Sequence, residues 1–255
     1  MALNPTYRPV ANLSWADPPS IVKITGDEVH IWRASLDSYI SFIERFWSAL
    51  SADERGRAGR FHFQKDRDRF VIARGILRTM LGCYCGVEPS GLRFSYGPYG
   101  KPALVSESGL SFNLSHSGGL ALYAVACGRE VGIDVEFLHP DFPHEQIAER
   151  FFSRREISAL LTLPPQSRPQ GFFNCWTRKE AYIKAKGDGL SFRLDQFDVS
   201  LAPGEPAALV NVNGDRRELS RWSLQELNPA SDCAAALAVE GRDYRLLCWQ
   251  WPESV

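Results

Sequence analysis

"VGIDVEFL", Val131–Leu138, sets two carboxylates, Asp134 and Glu136, into a run that otherwise reads as a buried strand. Side chains alternate across a strand, so Val131, Ile133, Val135 and Phe137 share one face while Gly132, Asp134 and Glu136 share the other. The first face is core and the second is acidic. Like charges on one face repel unless solvent, a cation or a basic partner neutralises them, so something positive is expected against this strand.

On the N-terminal side, "LSFNLSHSGGLALYAVA" reads as two strand-like runs around the polar turn "SHSGG", which places Ser115 and His116 at a strand end. Alone, His116 reads as a structural histidine; a small hydroxyl residue before it and two glycines after it favour an open, ligand-facing turn. Lys101 lies in "FSYGPYGKPAL", where glycines and prolines mark a loop. On the C-terminal side, "FPHEQIAERFFSRREISALL" reads as helix, break, helix. "GFFNCWTRKEAYIKAKGDGL" is the strongest helix of the second half, stopped by Gly187 and Gly189. Trp176, Glu180 and Lys184 fall at i, i+4 and i+8 on one face; by themselves Glu180 and Lys184 read as an exposed ion pair contributing a few tenths of a kcal/mol.

The N-terminal third reads as a loop-rich segment, a short strand near Val29–Arg33, then helices. Leu36, Ile40, Ile43, Trp47 and Leu50 give the first helix an apolar stripe. Ser51 with Glu54 forms a capping box for a second. A third, Asp66 to about Leu81, buries Val71, Ile72, Ile76, Leu77 and Met80, and its Arg67, Arg74 and Arg78 form a stripe that reads as a solvated basic face. Beyond Phe192 the pattern is strands and turns. "GRFHFQKDRDRF" and "ERFFSRREISAL" echo each other faintly, and Cys127–Glu130 is the best candidate hinge.

At 255 residues, 44% hydrophobic and 12% aromatic, the chain has the makings of one large domain or two ordinary ones. A formal charge of −1 argues against nucleic-acid binding, which needs an excess of Lys and Arg. Six cysteines without metal spacing, and an N-terminus without an apolar signal-like run, point to a reducing cytoplasm. No segment approaches the roughly 18 to 20 apolar residues that span a bilayer.

Asp134, Glu136 and Glu180 are three hard oxygen donors of the kind Mg²⁺ shares with waters and substrate phosphates. Lys101, His116, Lys184 and some of the arginines supply charge for a phosphate-rich ligand.

"GKP", "FNLSHSGG", "VGIDVE", "RFFSRRE" and "WTRKEAYIKAKGDGL" stand in the order and spacing of the 4′-phosphopantetheinyl transferases, and over about 51–199 the chain resembles a surfactin-type member. The resemblance implies an α+β fold of two similar halves related by a pseudo-twofold axis, here 1–128 and 129–255, with the active site at their interface and the chain acting as a monomeric pseudo-dimer. It implies transfer of 4′-phosphopantetheine from coenzyme A to a serine of apo acyl, peptidyl or polyketide carrier proteins, releasing adenosine 3′,5′-bisphosphate. The metal acids fall on Asp134, Glu136 and Glu180, holding Mg²⁺ or Mn²⁺. Glu180, directly or through a water on the metal, takes the serine proton, and Lys184 serves the leaving group. Coenzyme A falls to Arg57, Gly100, Lys101, Asn113, Ser115, His116 and Lys184, with His116 at the 3′-phosphate. Glu54 stands where some members have a second basic residue, and the Arg74 stripe is the candidate replacement. A coenzyme A pyrophosphate hydrolase and a non-catalytic binding module are the alternatives.

Overall fold

The apolar side of the acidic strand is the seam between two sheets. The computed structural model describes residues 14–139, 142–187, 189 and 192–253, so residues 1–13 of the loop-rich segment, and Asp188 and Leu190 of the last motif, lie outside the description. The first half runs β1 (Glu28–Ser35), a 3₁₀ stretch (Leu36–Phe42), α1 (Ile43–Ala49), α2 (Ala52–Ala58), α3 (Gln64–Cys85), β2 (Phe94–Tyr96), β3 (Pro102–Leu104), β4 (Leu110–Ser117) and β5 (Leu120–Cys127). The second runs β6 (Val131–Phe137), α4 (His144–Phe151), α5 (Arg154–Thr162), α6 (Arg168–Lys186), β7 (Phe197–Val199), β8 (Leu209–Val212), α7 (Arg216–Arg221), β9 (Trp222–Leu227) and β10 (Cys233–Glu240), followed by β11 (Arg245–Gln250).

Spatial order shows the duplication. β1, β5 and β4 form an antiparallel sheet in that order, and β6, β10 and β9 repeat it. β11 returns from the second half and pairs in parallel with the outer edge of β1. Trp32 pairs with Tyr123 as Asp134 pairs with Ala236, and the offset from Trp32 to Asp134 equals that from Glu54 to Glu156. Both glutamates close capping boxes, with Ser51 and Ser153. Each is buried against cations of its own half's long helix: Arg74 and Arg78 for Glu54, Lys179 for Glu156. The α+β fold of two similar halves is therefore present. The faint echo in the sequence aligned the wrong elements, because it set the start of α3 beside that of α5. The equivalent helices are α2 with α5 and α3 with α6.

Three apolar layers hold the halves. α3 packs Val71, Ile72, Ile76 and Leu77 on the outer face of the first sheet, and α6 packs Phe172, Tyr182 and Ile183 against Ala234, Ala236 and Ala238 of the second. Between the sheets, Val29, Ile31, Leu122 and Ala124 meet Val131, Ile133, Val135 and Leu237. No helix among the described residues is long and apolar enough to cross a membrane.

Three expectations change. The first helix begins as 3₁₀, whose tighter winding rotates the stripe, so Tyr39 and Phe46 are buried beside Leu36 and Leu50 while Ile40 is exposed. The supposed loop is the β2–β3 hairpin; its glycines and prolines punctuate the turn, where Gly100 takes φ +83°, and not the strands. Arg74 and Arg78 are not a solvated face. Both are buried on Glu54, and Arg78 also donates to the carbonyls of Pro89 and Leu92, so Arg74 is committed to Glu54. Glu54→Ala should destabilise the protein by about 3–5 kcal/mol in denaturant unfolding, because it strands two guanidinium groups in a low-dielectric site. A loss below about 1 kcal/mol would mean that the arginines are served by water.

Candidate active site

The two halves meet along β4 and β6, which run side by side without a backbone ladder between them. Polar side chains of β4, at every second position, take its place. Ser111 donates to Glu130 Oε1 (3.0 Å), Asn113 Oδ1 accepts from the Ile133 amide (2.9 Å), Ser115 donates to Asp134 Oδ1 (2.8 Å), and Ser117 donates to Glu136 Oε2 (2.8 Å). The Ile133 amide, and the Phe137 amide that donates to Ser117 Oγ, thereby find partners on the edge of β6, and the remaining bonds go to its carboxylates.

α6 lies across the acidic face of β6. Contact is closest at Gly132, where any Cβ would overlap the Ala181 carbonyl oxygen and the Ala185 nitrogen. That approach brings the awaited positive group: Lys184 Nζ lies 2.6 Å from Asp134 Oδ1 and 3.1 Å from Ser115 Oγ. Lys184 therefore pairs with Asp134, and the simple i,i+4 pair with Glu180 does not form among the described residues. Asp134 is 3% exposed, and its Oδ2 is buried without a partner; Glu180 Oε1 is in the same condition. Burial, and then the Asp134 charge, push the Glu180 carboxyl above its ordinary pKa, with Lys184 opposing. Glu136 is raised for the same two leading reasons.

Between the β2–β3 turn and α6 opens a cavity of about 520 Å³ lined by Gly100, Lys101, Asn113, Glu180 and Lys184, with Tyr99 at its edge. His116 is exposed nearby. Protein crowded around the ring, followed by the charges of Lys184, Arg57 and Arg69, holds its imidazole below the ordinary value. Arg57 makes no hydrogen bond to these groups; its guanidinium lies 5.3 Å from the centre of the Phe70 ring. Lys101 borders the cavity, but its ammonium is directed to Glu130 Oε2 (2.7 Å) and to the carbonyls of Ala185 (2.8 Å) and Val131 (3.3 Å).

The structure thus brings Ser115, Asp134 and Lys184 into direct contact and sets Glu136, Glu180, Asn113 and His116 around them. Among the described residues no three His, Cys, Asp or Glu side chains form a ready-made metal-ligand cluster. Sequence reasoning missed Ser117, Glu130 and Arg69. The first two were legible: "SFNLSHS" puts Ser111, Asn113, Ser115 and Ser117 on one strand face, and a polar face opposite an acidic strand is a pairing signal. Arg69 carries no such mark, and in the fold it is fastened to Asp37 (2.6 Å).

Comparisons with known proteins agree with this architecture. The profile described as the 4′-phosphopantetheinyl transferase superfamily matches residues 130–244, and that described as 4′-phosphopantetheinyl transferase, N-terminal, matches 31–128. The chain is 44% identical over 241 residues to the 4′-phosphopantetheinyl transferase HetI of Nostoc sp., covering 93% of this chain and 98% of that protein. It is 35% identical over 158 residues to the 4′-phosphopantetheinyl transferase Sfp of Bacillus subtilis, covering 62% and 69% of the two chains. The human L-aminoadipate-semialdehyde dehydrogenase-phosphopantetheinyl transferase is 26% identical over 196 residues, covering 70% and 63%. A duplicated α+β fold, a cleft of carboxylates and lysine at its seam, two family profiles that together span most of the chain, and a relative matched over nearly the whole length lead to one conclusion: the chain belongs to the 4′-phosphopantetheinyl transferase superfamily.

Proposed function

We propose that this protein transfers the 4′-phosphopantetheine group of coenzyme A to a serine hydroxyl of an apo acyl, peptidyl or polyketide carrier protein, at the cleft between β4, β6 and α6. One observation carries the reading: Glu180 and Lys184 line the cavity, Lys184 is paired with Asp134, and one carboxylate oxygen each of Asp134 (Oδ2) and Glu180 (Oε1) is buried without a partner.

Asp134, Glu136 and Glu180 fit a hard divalent cation, because their mutual repulsion and unpaired oxygens are what such an ion relieves. They would hold Mg²⁺, or Mn²⁺ in its place, which when bound supplies charge neutralisation to the pyrophosphate. The protein's own groups do the rest. Lys184 holds a positive charge where the bisphosphate leaves. Glu180, with its raised pKa, is suited to accept the serine proton. The bond from the serine oxygen to the β-phosphorus forms, the bond from that phosphorus to the bridging oxygen breaks, and adenosine 3′,5′-bisphosphate departs. Arg57 and His116 meet the 3′-phosphate end, Gly100 and Asn113 shape the wall against coenzyme A, and Ser115 stands behind it on Asp134 and Lys184. The two halves, 1–128 and 129–255 apart from the returning β11, supply the whole site, which supports action as a monomer. Six unpaired cysteines favour a reducing cytoplasm.

Two measurements test these parts. In protein stripped of divalent ions, transfer should vanish and return on titrating Mg²⁺; undiminished transfer in excess chelator would overturn the metal assignment. His116→Ala removes a charge-assisted bond contributing about 1.5–3 kcal/mol, so KM for coenzyme A should rise roughly tenfold to a hundredfold while KM for dephospho-coenzyme A changes little. An unchanged ratio of kcat/KM between the two substrates would remove His116 from the 3′-phosphate.

A further inference from the structure

Lys101 is exceptional in the cleft because its ammonium is fully engaged. A lysine has three N–H donors. All three have acceptors: Glu130 Oε2, the Val131 carbonyl and the Ala185 carbonyl. The acceptors belong to different elements. Glu130 immediately precedes the second half's first strand, which Val131 begins, and Glu130 is also held by Ser111 of β4. Ala185 lies in the last turn of α6, where backbone carbonyls have no partner within the helix and a positive charge is favoured by the helix dipole. The Lys101 stem runs beside Gly187, the left-handed residue that ends α6; its Cδ is 3.4 Å from where a Cβ there would stand. Ala185 directly follows Lys184, and Glu180 lies on the same helix.

From this geometry we infer that Lys101 is a positioning residue: an interdomain clasp that ties the β2–β3 turn of the first half to the end of α6, and thereby sets Lys184 and Glu180 against Asp134, with no direct bond to a phosphate of coenzyme A. The inference rests on reading the cleft as the transfer site. A second cavity, about 390 Å³, is also lined by Lys101, together with Ser95, Tyr96 and Pro98. The side chain thus borders both spaces.

The clasp and a phosphate contact predict opposite behaviour for Glu130. If Lys101 reached for phosphate, Glu130 would compete for its ammonium, and Glu130→Gln would leave KM for coenzyme A unchanged or lower it. As half of a clasp, Glu130→Gln loosens the end of α6 and lowers kcat. Carrier modification should be measured for the parent, Lys101→Met, Glu130→Gln and the double variant, with thermal unfolding alongside. The clasp predicts that Lys101→Met reduces kcat roughly tenfold to a hundredfold, with KM for coenzyme A changed less than about threefold. It predicts the same direction and a smaller size for Glu130→Gln, and a double variant no worse than Lys101→Met, since both remove one interaction. Lys101→Arg, which keeps the charge, should recover part of kcat. A rise in KM as the main effect of Lys101→Met, with Glu130→Gln neutral or improved and multiplicative losses in the double variant, would overturn the proposal. Glu130→Gln is an isosteric change on a half-exposed side chain. It alone separates the two roles should Lys101→Met fail to fold. An inactive parent would instead condemn the transferase reading.

Discussion

Glu180→Gln is expected to bring transfer below detection while leaving the unfolding temperature unchanged or raised. The loss follows from the two roles proposed for one carboxylate: an anionic oxygen for the cation and an acceptor for the serine proton, neither of which an amide supplies. The stability expectation follows from sign. Burial and the Asp134 charge raise the Glu180 pKa, so the folded state holds its proton more tightly than the unfolded chain does. Stability is then lost as pH rises from the unfolded value through the folded one, and above that range the ionised side chain is a burden on the fold. Glutamine removes that burden. For the same reason Mg²⁺ should raise the parent's unfolding temperature at neutral pH, and raise it less in Glu180→Gln. A variant that is both inactive and much less stable would show Glu180 to be a structural residue.

Gly132→Ala is expected to cost both activity and stability, because α6 is seated on that glycine. A single methyl group there overlaps the Ala181 carbonyl oxygen and Ala185 nitrogen, backbone atoms that can yield only if the helix moves. A shift of even 1 Å carries Lys184 away from Asp134, and misplacement of that size is worth about a hundredfold in rate. Overpacking should destabilise by about 1–3 kcal/mol in denaturant unfolding. The first half provides the contrast. By the same offset that relates Trp32 to Asp134, the position corresponding to Gly132 is His30, fully buried and bonded to Tyr84 of α3 (2.8 Å). There the long helix stands far enough off to admit an imidazole. Close approach thus belongs to the half that carries the carboxylates. Near-parental kcat/KM and stability in Gly132→Ala would show that α6 can settle elsewhere without harm.

What was legible in the sequence was what alternation and helical spacing encode. Val131–Phe137 announced a core face and an acidic face, and the structure puts the sheet seam on one and α6 on the other. Trp176, Glu180 and Lys184 announced a helical face, though not that Lys184 would leave Glu180 for Asp134, since that choice depends on a second element arriving alongside. The burial of Arg74 and Arg78 was hidden for the same reason: Glu54 looks like an ordinary capping-box residue until α2 is folded onto α3. The β2–β3 hairpin escaped notice because its turn residues outweigh its short strands. The duplication left little trace in residue identity. Trp32 and Ala34 occupy the places of Asp134 and Glu136, so the first half keeps the fold without the chemistry. Among the described residues, β11, which covers the outer edge of β1, has no counterpart on β6.

The most direct test of the central claim is the intact mass of an apo carrier protein incubated with this protein, coenzyme A and Mg²⁺, across fatty-acid, polyketide and peptide carriers. A gain of one phosphopantetheine on at least one carrier, abolished when its acceptor serine is replaced by alanine, is the predicted result. Free phosphopantetheine without a gain in carrier mass would identify a hydrolase, and no product with any carrier would identify a binding module; either outcome would contradict the account.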